Sequence, residues 1–285
     1  MKGLITLLIL TFTGCLVSAE EKLTPDKKLT YKTVGETKLQ LHLFQPEDFK
    51  STDQRPCIVC FFGGGWQGGT PSQFYQHCDR FAKLGMVAFS AEYRVAKTHK
   101  TTPFECVEDG KSAIRWVRQN AKELGVNPDL IVAAGGSAGG HVAACTALIK
   151  DHEAKDEDLN ISSIPNALML YNPVIDTTEK GYGRKRFEEN RKTEISPVHH
   201  VRKDLPPTLI AHGTADTTVP YENATRFTEL MQKAGNDCEL LTFKDKGHGF
   251  FNGSHFRKKN GDDDFNSVMT SGEKFLIKHK ILSSQ

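Results

Sequence analysis

The pattern of apolar positions changes character after residue 44. Residues 29–34 and 38–44 flank Gly35-Glu36, and leucine alternates with polar residues in the second of these runs. Strict alternation predicts a hairpin of antiparallel strands with one solvated face, at the edge of a sheet. Beyond the hairpin, short continuous apolar runs predict buried strands, and they occupy residues 57–62, 86–91, 130–134, 167–171, 208–212 and 239–243.

Apolar residues recur at helical spacing in the segments between these runs. The first predicted helix follows Pro71-Ser72 and covers residues 74–84. The others cover residues 104–124, 142–149, 227–234 and 264–279. Strands that alternate with helices form a parallel sheet with helices on both faces. With the hairpin, the chain is expected to form one α/β domain over residues 20–285, built on a mostly parallel eight-stranded sheet.

The longest interruption of this pattern is the segment 172–206, which shows only weak periodicity. An irregular segment of this length inside a compact domain is usually functional or disordered. Two interpretations stay open, a small cap insertion over a site and a solvated excursion.

The first nineteen residues have the pattern of a signal peptide. Lys2 precedes an apolar stretch that runs to Val17, and Val17-Ser18-Ala19 offers small residues for cleavage. The stretch is short for a stable membrane span. We therefore expect a secreted or periplasmic protein, with lipoprotein anchoring at Cys15 as the alternative.

Composition and cysteine spacing exclude several classes of site. The chain has 37 basic and 35 acidic residues, which leaves no broad positive field for a nucleic-acid partner. Six further cysteines permit disulfides in an exported protein, but their pairing cannot be predicted. Cys57-x-x-Cys60 lies inside a predicted buried strand, so we interpret it as part of the core rather than as a metal site.

One turn carries the first candidate for chemistry. The apolar run 130–134 leads into Gly135-x-Ser137-x-Gly139, and small residues then begin a helix. This strand-turn-helix context is typical of a nucleophile elbow, which exposes the serine hydroxyl and aims the next backbone N–H at the same point. A glycine-rich turn that only packs or binds phosphate is the alternative.

Two later loops supply partners that an activated serine needs. A serine is a strong nucleophile only when a correctly oriented base takes its proton. Asp216 and His248 follow the predicted strands 208–212 and 239–243, so both are expected at the same sheet edge as Ser137. Asp245 is nearer to His248 in sequence, but it is poorly placed to reach the imidazole nitrogen opposite the serine.

Gly63-Gly64-Gly65-Trp66 follows the predicted strand 57–62 and is expected to present backbone donors to the same point. A negatively charged tetrahedral intermediate requires N–H groups that are already aimed at its oxygen. We assign Gly63, Gly64 and Ala138 as the oxyanion donors.

These motifs together resemble the α/β-hydrolase esterases of the hormone-sensitive-lipase-like, acetyl esterase/lipase branch. The similarity extends from about residue 56 to 251 and includes Glu92-Tyr93-Arg94-Val95, Gly135-Gly136-Ser137-Ala138-Gly139 and Gly247-His248-Gly249-Phe250. It implies the α/β-hydrolase fold and hydrolysis of small or carbohydrate-borne acyl esters through an acyl-enzyme. It implies no cofactor and no metal.

The sequence departs from this family at Phe62, where its members usually have a histidine that braces the glycine loop. The loop is therefore expected to be held differently. We also expect Glu92 and Arg94 to form a buried pair beneath the site, with a surface pair as the alternative. Two other functions remain open, a peptidase similar to prolyl oligopeptidases and a non-catalytic binding protein of hydrolase fold.

Overall fold

Eight strands form one sheet in the computed structural model, which describes residues 23–283. The strands are β1 (Lys27–Val34), β2 (Thr37–Phe44), β3 (Arg55–Phe61), β4 (Val87–Ala91), β5 (Val126–Gly136), β6 (Ala167–Tyr171), β7 (Thr208–Gly213) and β8 (Cys238–Phe243). The predicted signal peptide lies outside the described residues.

The sheet is parallel except at its hairpin end. Its order is β1-β2-β4-β3-β5-β6-β7-β8, and only the β1–β2 and β2–β4 pairs are antiparallel. The mostly parallel α/β sheet is therefore confirmed. The exchange of β3 and β4 in the spatial order is a feature that the pattern of apolar runs does not predict.

Helices connect or follow the strands throughout this part of the chain. They are α1 (Tyr75–Lys83), α2 (Ala96–His99), α3 (Pro103–Gln119), α4 (Ala138–Leu148), α5 (Tyr221–Lys233) and α6 (Asp263–Lys278). A capping box between Thr102 and Glu105 determines where α3 begins, with Pro103 as its first residue.

The helices cover both faces of the sheet, as predicted. Successive residues of a strand point to opposite faces. Gly135 in β5 packs against the start of α4, and Gly136 packs against the ring of Phe251 on the other face. The helices α3 and α4 contact each other, whereas α1 and α6 are joined by an ion pair between Arg80 and Glu273.

The segment 172–206 contains no strand and no α-helix. Its regular structure consists of two short 3-10 turns, Arg184–Arg186 and Pro197–His199. Tyr182 from this segment borders the cavity described below.

All six cysteines in the described part of the chain are buried and free. None of the helices between residues 23 and 283 has the length and apolar character that a membrane crossing requires.

Candidate active site

Ser137 occupies a strained turn between β5 and α4. Its backbone has φ 56° and ψ −122°, a conformation that side-chain-bearing residues rarely adopt. The turn is tight enough that a Cβ on Gly139 would lie 2.1 Å from the Phe61 carbonyl oxygen. The structure thus explains the glycine at this position of the predicted nucleophile elbow by close approach of backbone to backbone.

The structure brings the three predicted side chains together in one hydrogen-bonded line. His248 Nε2 lies 2.9 Å from Ser137 Oγ, and His248 Nδ1 lies 2.7 Å from Asp216 Oδ2. An ionised carboxylate only accepts hydrogen bonds, so Nδ1 carries the proton of the neutral ring. Nε2 is then free to accept the serine proton, which is the geometry that activates a serine hydroxyl.

Asp216 is held ionised by the donors around it. Burial alone would raise its pKa, but hydrogen bonds from His212, His248 and the Val219 N–H outweigh that effect and hold the pKa of Asp216 well below its usual value. Oδ1 accepts the backbone N–H groups of Thr218 and Val219 at 2.8 and 2.9 Å. These bonds leave Oδ2 directed at the imidazole.

Asn172 is a site residue that sequence reasoning missed. Its Nδ2 donates to Asp216 Oδ2 at 2.9 Å and to the carbonyl oxygen of His248 at 2.8 Å. It has φ 42°, a left-handed conformation that is uncommon outside glycine. The sequence signal available was its position directly after β6, at the same sheet edge as the other site residues.

Gly63 does not offer a free donor, which corrects one predicted oxyanion assignment. Its N–H donates to Oε1 of Gln73 at 2.7 Å, and that amide donates in turn to Asn252. Within residues 23–283, the N–H groups of Gly64, Gly65 and Ala138 donate no hydrogen bond. The side chain of Gln73 thus determines which glycine N–H groups can bind the oxyanion. Sequence reasoning did not single out this residue.

The glycine loop is braced on both sides without a histidine at position 62. The ring of Phe62 stacks on Tyr93 with centroids 4.2 Å apart, and the Tyr93 hydroxyl donates to the Phe62 carbonyl at 2.6 Å. At the other end of the loop, Trp66 Nε1 donates to Nδ1 of His141. Burial lowers the pKa of His141 to about 4, so this ring is neutral near pH 7 and its Nε2 donates to Ile195.

A cavity of about 340 Å³ opens onto Ser137 and His248. The glycine loop, Gln73 and Phe251 form its inner wall, and Tyr182 and Arg257 stand among its outer residues. A volume near the low end of the usual range for ligand pockets suits a small substrate group.

Two expectations about nearby charges are settled by the contacts. Asp245 is exposed, and His248 bonds to Asp216 instead. The predicted pair between Glu92 and Arg94 is wrong, because Arg94 binds Asp109 and Glu92 binds His42.

One group in the described part of the chain has the donor set for a metal ion, and it is remote from this cavity. It comprises Asp237, Glu239 and His279. The ammonium group of Lys278 already bonds to both carboxylates, at 2.9 and 2.6 Å.

The chain is similar to solved structures of esterase 2 from Thermogutta terrifontis. The form phosphorylated by paraoxon is 47% identical, with a TM-score of 0.85, over 91% of this chain and 96% of that chain. A propionate-bound form is 46% identical with a TM-score of 0.84, over 91% of this chain and 96% of the other.

Two curated relatives are similar to most of this chain. Esterase LipC of Mycobacterium tuberculosis is 29% identical over 219 residues, which is 70% of this chain and 54% of the relative. An acetylxylan esterase of Xylanibacter ruminicola is 29% identical over 244 residues, which is 81% of this chain and 48% of the relative. The chain thus spans about half the length of these two relatives.

The family comparison covers most of the domain. Residues 41–180 and 177–231 match the BD-FAE family. The matched part includes Ser137 and Asp216, and the structural similarity extends over nearly the whole described chain. The chain therefore belongs to the BD-FAE family of α/β-hydrolase esterases.

Proposed function

We propose that this protein is a serine carboxylesterase that uses Ser137, His248 and Asp216 to hydrolyse small acyl esters. The observation that carries the proposal is the continuous chain from Ser137 Oγ through His248 to Asp216, with contacts of 2.9 and 2.7 Å. Membership of an esterase family supports the same chemistry.

The reaction proceeds in two halves. His248 Nε2 takes the Ser137 proton while Oγ attacks the ester carbonyl, and the carboxylate of Asp216 stabilises the imidazolium that forms. His248 then gives this proton to the departing alcohol, which leaves an acyl group on Ser137. Water attacks the acyl-enzyme with the same base, and the acid product is released.

The developing oxyanion requires donors in place before the reaction. We assign this role to the backbone N–H groups of Gly64, Gly65 and Ala138, which have no other acceptor among the described residues. Gly65 replaces Gly63 in this set because the Gly63 N–H is held by Gln73.

The acyl group is proposed to be short, such as acetyl. The small cavity supports this, as do the propionate-bound and butyrate-bound forms of the Thermogutta terrifontis enzyme. A carbohydrate alcohol is supported by the similarity to an acetylxylan esterase. In this proposal the segment 172–206 acts as a small cap, since its Tyr182 stands over the glycine loop.

The decisive experiment replaces the nucleophile. Ser137→Ala should lower turnover of p-nitrophenyl acetate by at least about ten-thousand-fold, because the covalent route is lost. Ser271→Ala, on the exposed face of α6, is the matched control and should retain wild-type turnover. Paraoxon should add one phosphoryl group to the wild-type protein and none to Ser137→Ala, as mass spectrometry would show. Less than tenfold loss would refute the assignment.

A substrate panel then tests the acyl and alcohol groups. Acetyl, butyryl and feruloyl esters and acetylated xylan should be compared by kcat/KM, and we expect acetyl esters to be the best of them. A p-nitroanilide peptide assayed in parallel tests the peptidase alternative, which predicts faster turnover of the peptide than of the acetyl ester.

Export is proposed from the sequence of residues 1–19. Sequencing the amino terminus of protein recovered outside the cytoplasm should give Glu20 as the first residue. A lipid-modified amino terminus at Cys15 would instead establish the anchored form.

A further inference from the structure

Part of the cavity is lined by residues 249–260, which we call the rim loop. The loop follows His248 directly, and both Phe256 and Arg257 border the cavity that holds Ser137. Asp262 fixes the loop by accepting the backbone N–H and the hydroxyl of Ser254, at 2.7 and 2.8 Å. These two hydrogen bonds fix the backbone of the rim loop at Ser254, close to Phe256 and Arg257.

Arg257 is the one permanently charged side chain among the residues that border the cavity. Within residues 23–283, no carboxylate oxygen lies within ion-pair distance of its guanidinium. Of the aspartates that follow it, Asp262 is engaged by Ser254, and Asp264 bonds to Lys246 at 2.7 Å. An arginine without a partner next to a catalytic cavity is available to a ligand.

The guanidinium of Arg257 packs against the backbone of Gly249. A Cβ at position 249 would lie 2.1 Å from Arg257 Nη1 and 2.5 Å from its Cζ. The backbone angles of Gly249 do not themselves demand glycine. The planar guanidinium of Arg257 thus lies against the backbone of Gly249, the residue after His248.

We propose that Arg257 selects esters that carry a carboxylate close to the scissile bond. Guanidinium and carboxylate are matched in geometry and form two parallel hydrogen bonds. Phe256, which is 38% exposed, presents an aromatic surface beside this charge and can pack against a ring that bears the carboxylate. This inference rests on the proposed esterase function and specifies its substrate class.

The carboxylate could belong to the alcohol or to the acyl part of the ester, and paired substrates distinguish the two. On the alcohol side, para-acetoxybenzoate is compared with its neutral isostere para-acetoxybenzamide. On the acyl side, monomethyl succinate is compared with methyl succinamate. For each pair the measured quantity is the ratio of kcat/KM for the charged over the neutral ester.

In the wild-type protein, the ratio for one of the pairs should exceed that of Arg257→Gln by roughly threefold to fivefold, the upper part of the range for an exposed ion pair. Arg257→Lys should retain part of the preference because it keeps the charge without the planar fork. Comparing ratios between variants cancels the intrinsic reactivity of each ester. The wild-type ratio should also fall as salt is added.

Lys258→Gln is the matched control, since Lys258 is the exposed neighbour that does not border the cavity. It should change the ratio by less than about twofold, as expected for a screened charge outside the cavity. An equal effect of both substitutions would overturn the proposal in favour of a general surface field. An unchanged ratio in Arg257→Gln for both pairs would overturn it as well.

The failure of this inference is distinguishable from failure of the esterase proposal. If wild-type protein and Arg257→Gln hydrolyse every ester with the same ratios, only the carboxylate preference is refuted. If the wild-type protein hydrolyses p-nitrophenyl acetate but none of the four esters, the carboxylate preference alone is refuted. If it does not hydrolyse p-nitrophenyl acetate either, both proposals are refuted.

Discussion

Two buried aspartates, Asp109 and Asp216, show how the surroundings of a carboxylate determine what it can do. Both side chains are fully buried, and both accept several hydrogen bonds. Asp109 on α3 is bound by two permanent cations, Arg94 at 2.8 Å and Lys32 at 2.7 Å. Its charge is already neutralised, so it links elements of the fold together.

Asp216 has no permanent cation as a partner in the described part of the chain. Its donors are backbone N–H groups, the amide of Asn172 and the rings of His212 and His248. Its negative charge is therefore stabilised by dipoles but not cancelled. When His248 becomes protonated during the reaction, Asp216 can stabilise the new positive charge, which Asp109 could not do.

The same substitution at the two positions should therefore have opposite consequences. Asp216→Asn should lower kcat by about ten-thousand-fold, because the amide favours the wrong tautomer of His248. Its free energy of unfolding should fall by roughly 1–3 kcal/mol, because the amide NH2 group then faces a buried donor that has lost its acceptor. Steady-state kinetics and urea denaturation measure the two effects. A kcat within tenfold of wild type would show that Asp216 is not the partner of the catalytic histidine.

Asp109→Asn should instead destabilise the fold. Removing one partner from a buried ion pair leaves uncompensated charge and costs roughly 3–5 kcal/mol. Turnover per folded molecule should stay close to that of wild type. Asp129→Asn, at an exposed position, is the control and should alter stability by less than about 0.5 kcal/mol. Equal urea midpoints for Asp109→Asn and Asp129→Asn would show that Asp109 does not stabilise the fold.

Asn172 sharpens the comparison, because it is the neutral donor that holds Asp216 and the His248 loop together. Asn172→Ala should lower kcat by roughly tenfold, the effect of one hydrogen bond to a charged group. KM should change little, since the amide bonds only to Asp216 and to the His248 backbone. A raised KM with unchanged kcat would identify Asn172 as a substrate-binding residue instead.

A buried histidine without a carboxylate partner among the described residues, His77, affects only how the stability of the fold depends on pH. Burial lowers the pKa of His77 to about 3, below its value of 6.5 in the unfolded chain. Between these values the unfolded state binds more protons, so stability falls as pH decreases from about 6.5 toward 3, by up to about 1.4 kcal/mol per pH unit.

His77→Phe should weaken this pH dependence, since the phenyl ring that replaces the imidazole would stay neutral among the rings of Phe74 and Phe251. Urea denaturation of both proteins at pH values of about 7, 6 and 5 measures the effect. His141 still contributes in the variant, so a reduced slope rather than a flat profile is expected. Equal slopes in the two proteins would show that His77 does not titrate with unfolding.

The sequence predicted the strands well because each has its own apolar run. Six buried runs and the hairpin correspond to β1–β8, with most ends within two residues. The largest difference is at β5, which begins at Val126 rather than residue 130. Val126 pairs with Arg55 across a register shift, a tertiary contact with no local signal.

The site residues that belong to a motif at the end of a strand were predictable from the sequence. The oxyanion donors were less predictable, because a side chain outside the motif binds one of the glycine N–H groups. Ser137, Asp216 and His248 each follow the end of a strand, so topology alone brings them to one edge. Gly63 was assigned wrongly because Gln73, ten residues away, takes its N–H. Spacing along the chain cannot reveal such a competing acceptor.

The pairing of Phe62 with Tyr93 has a consequence for the working range of the enzyme. Neither ring gains or loses a proton in mild acid or mild alkali, since burial raises the pKa of the Tyr93 phenol far above its ordinary value. The Phe62 end of the glycine loop is thereby anchored by two side chains that keep their protonation state over this range. An imidazole at position 62 would make the shape of that loop respond to the pH of the surroundings, and the pairing of Phe62 with Tyr93 removes that response at this position.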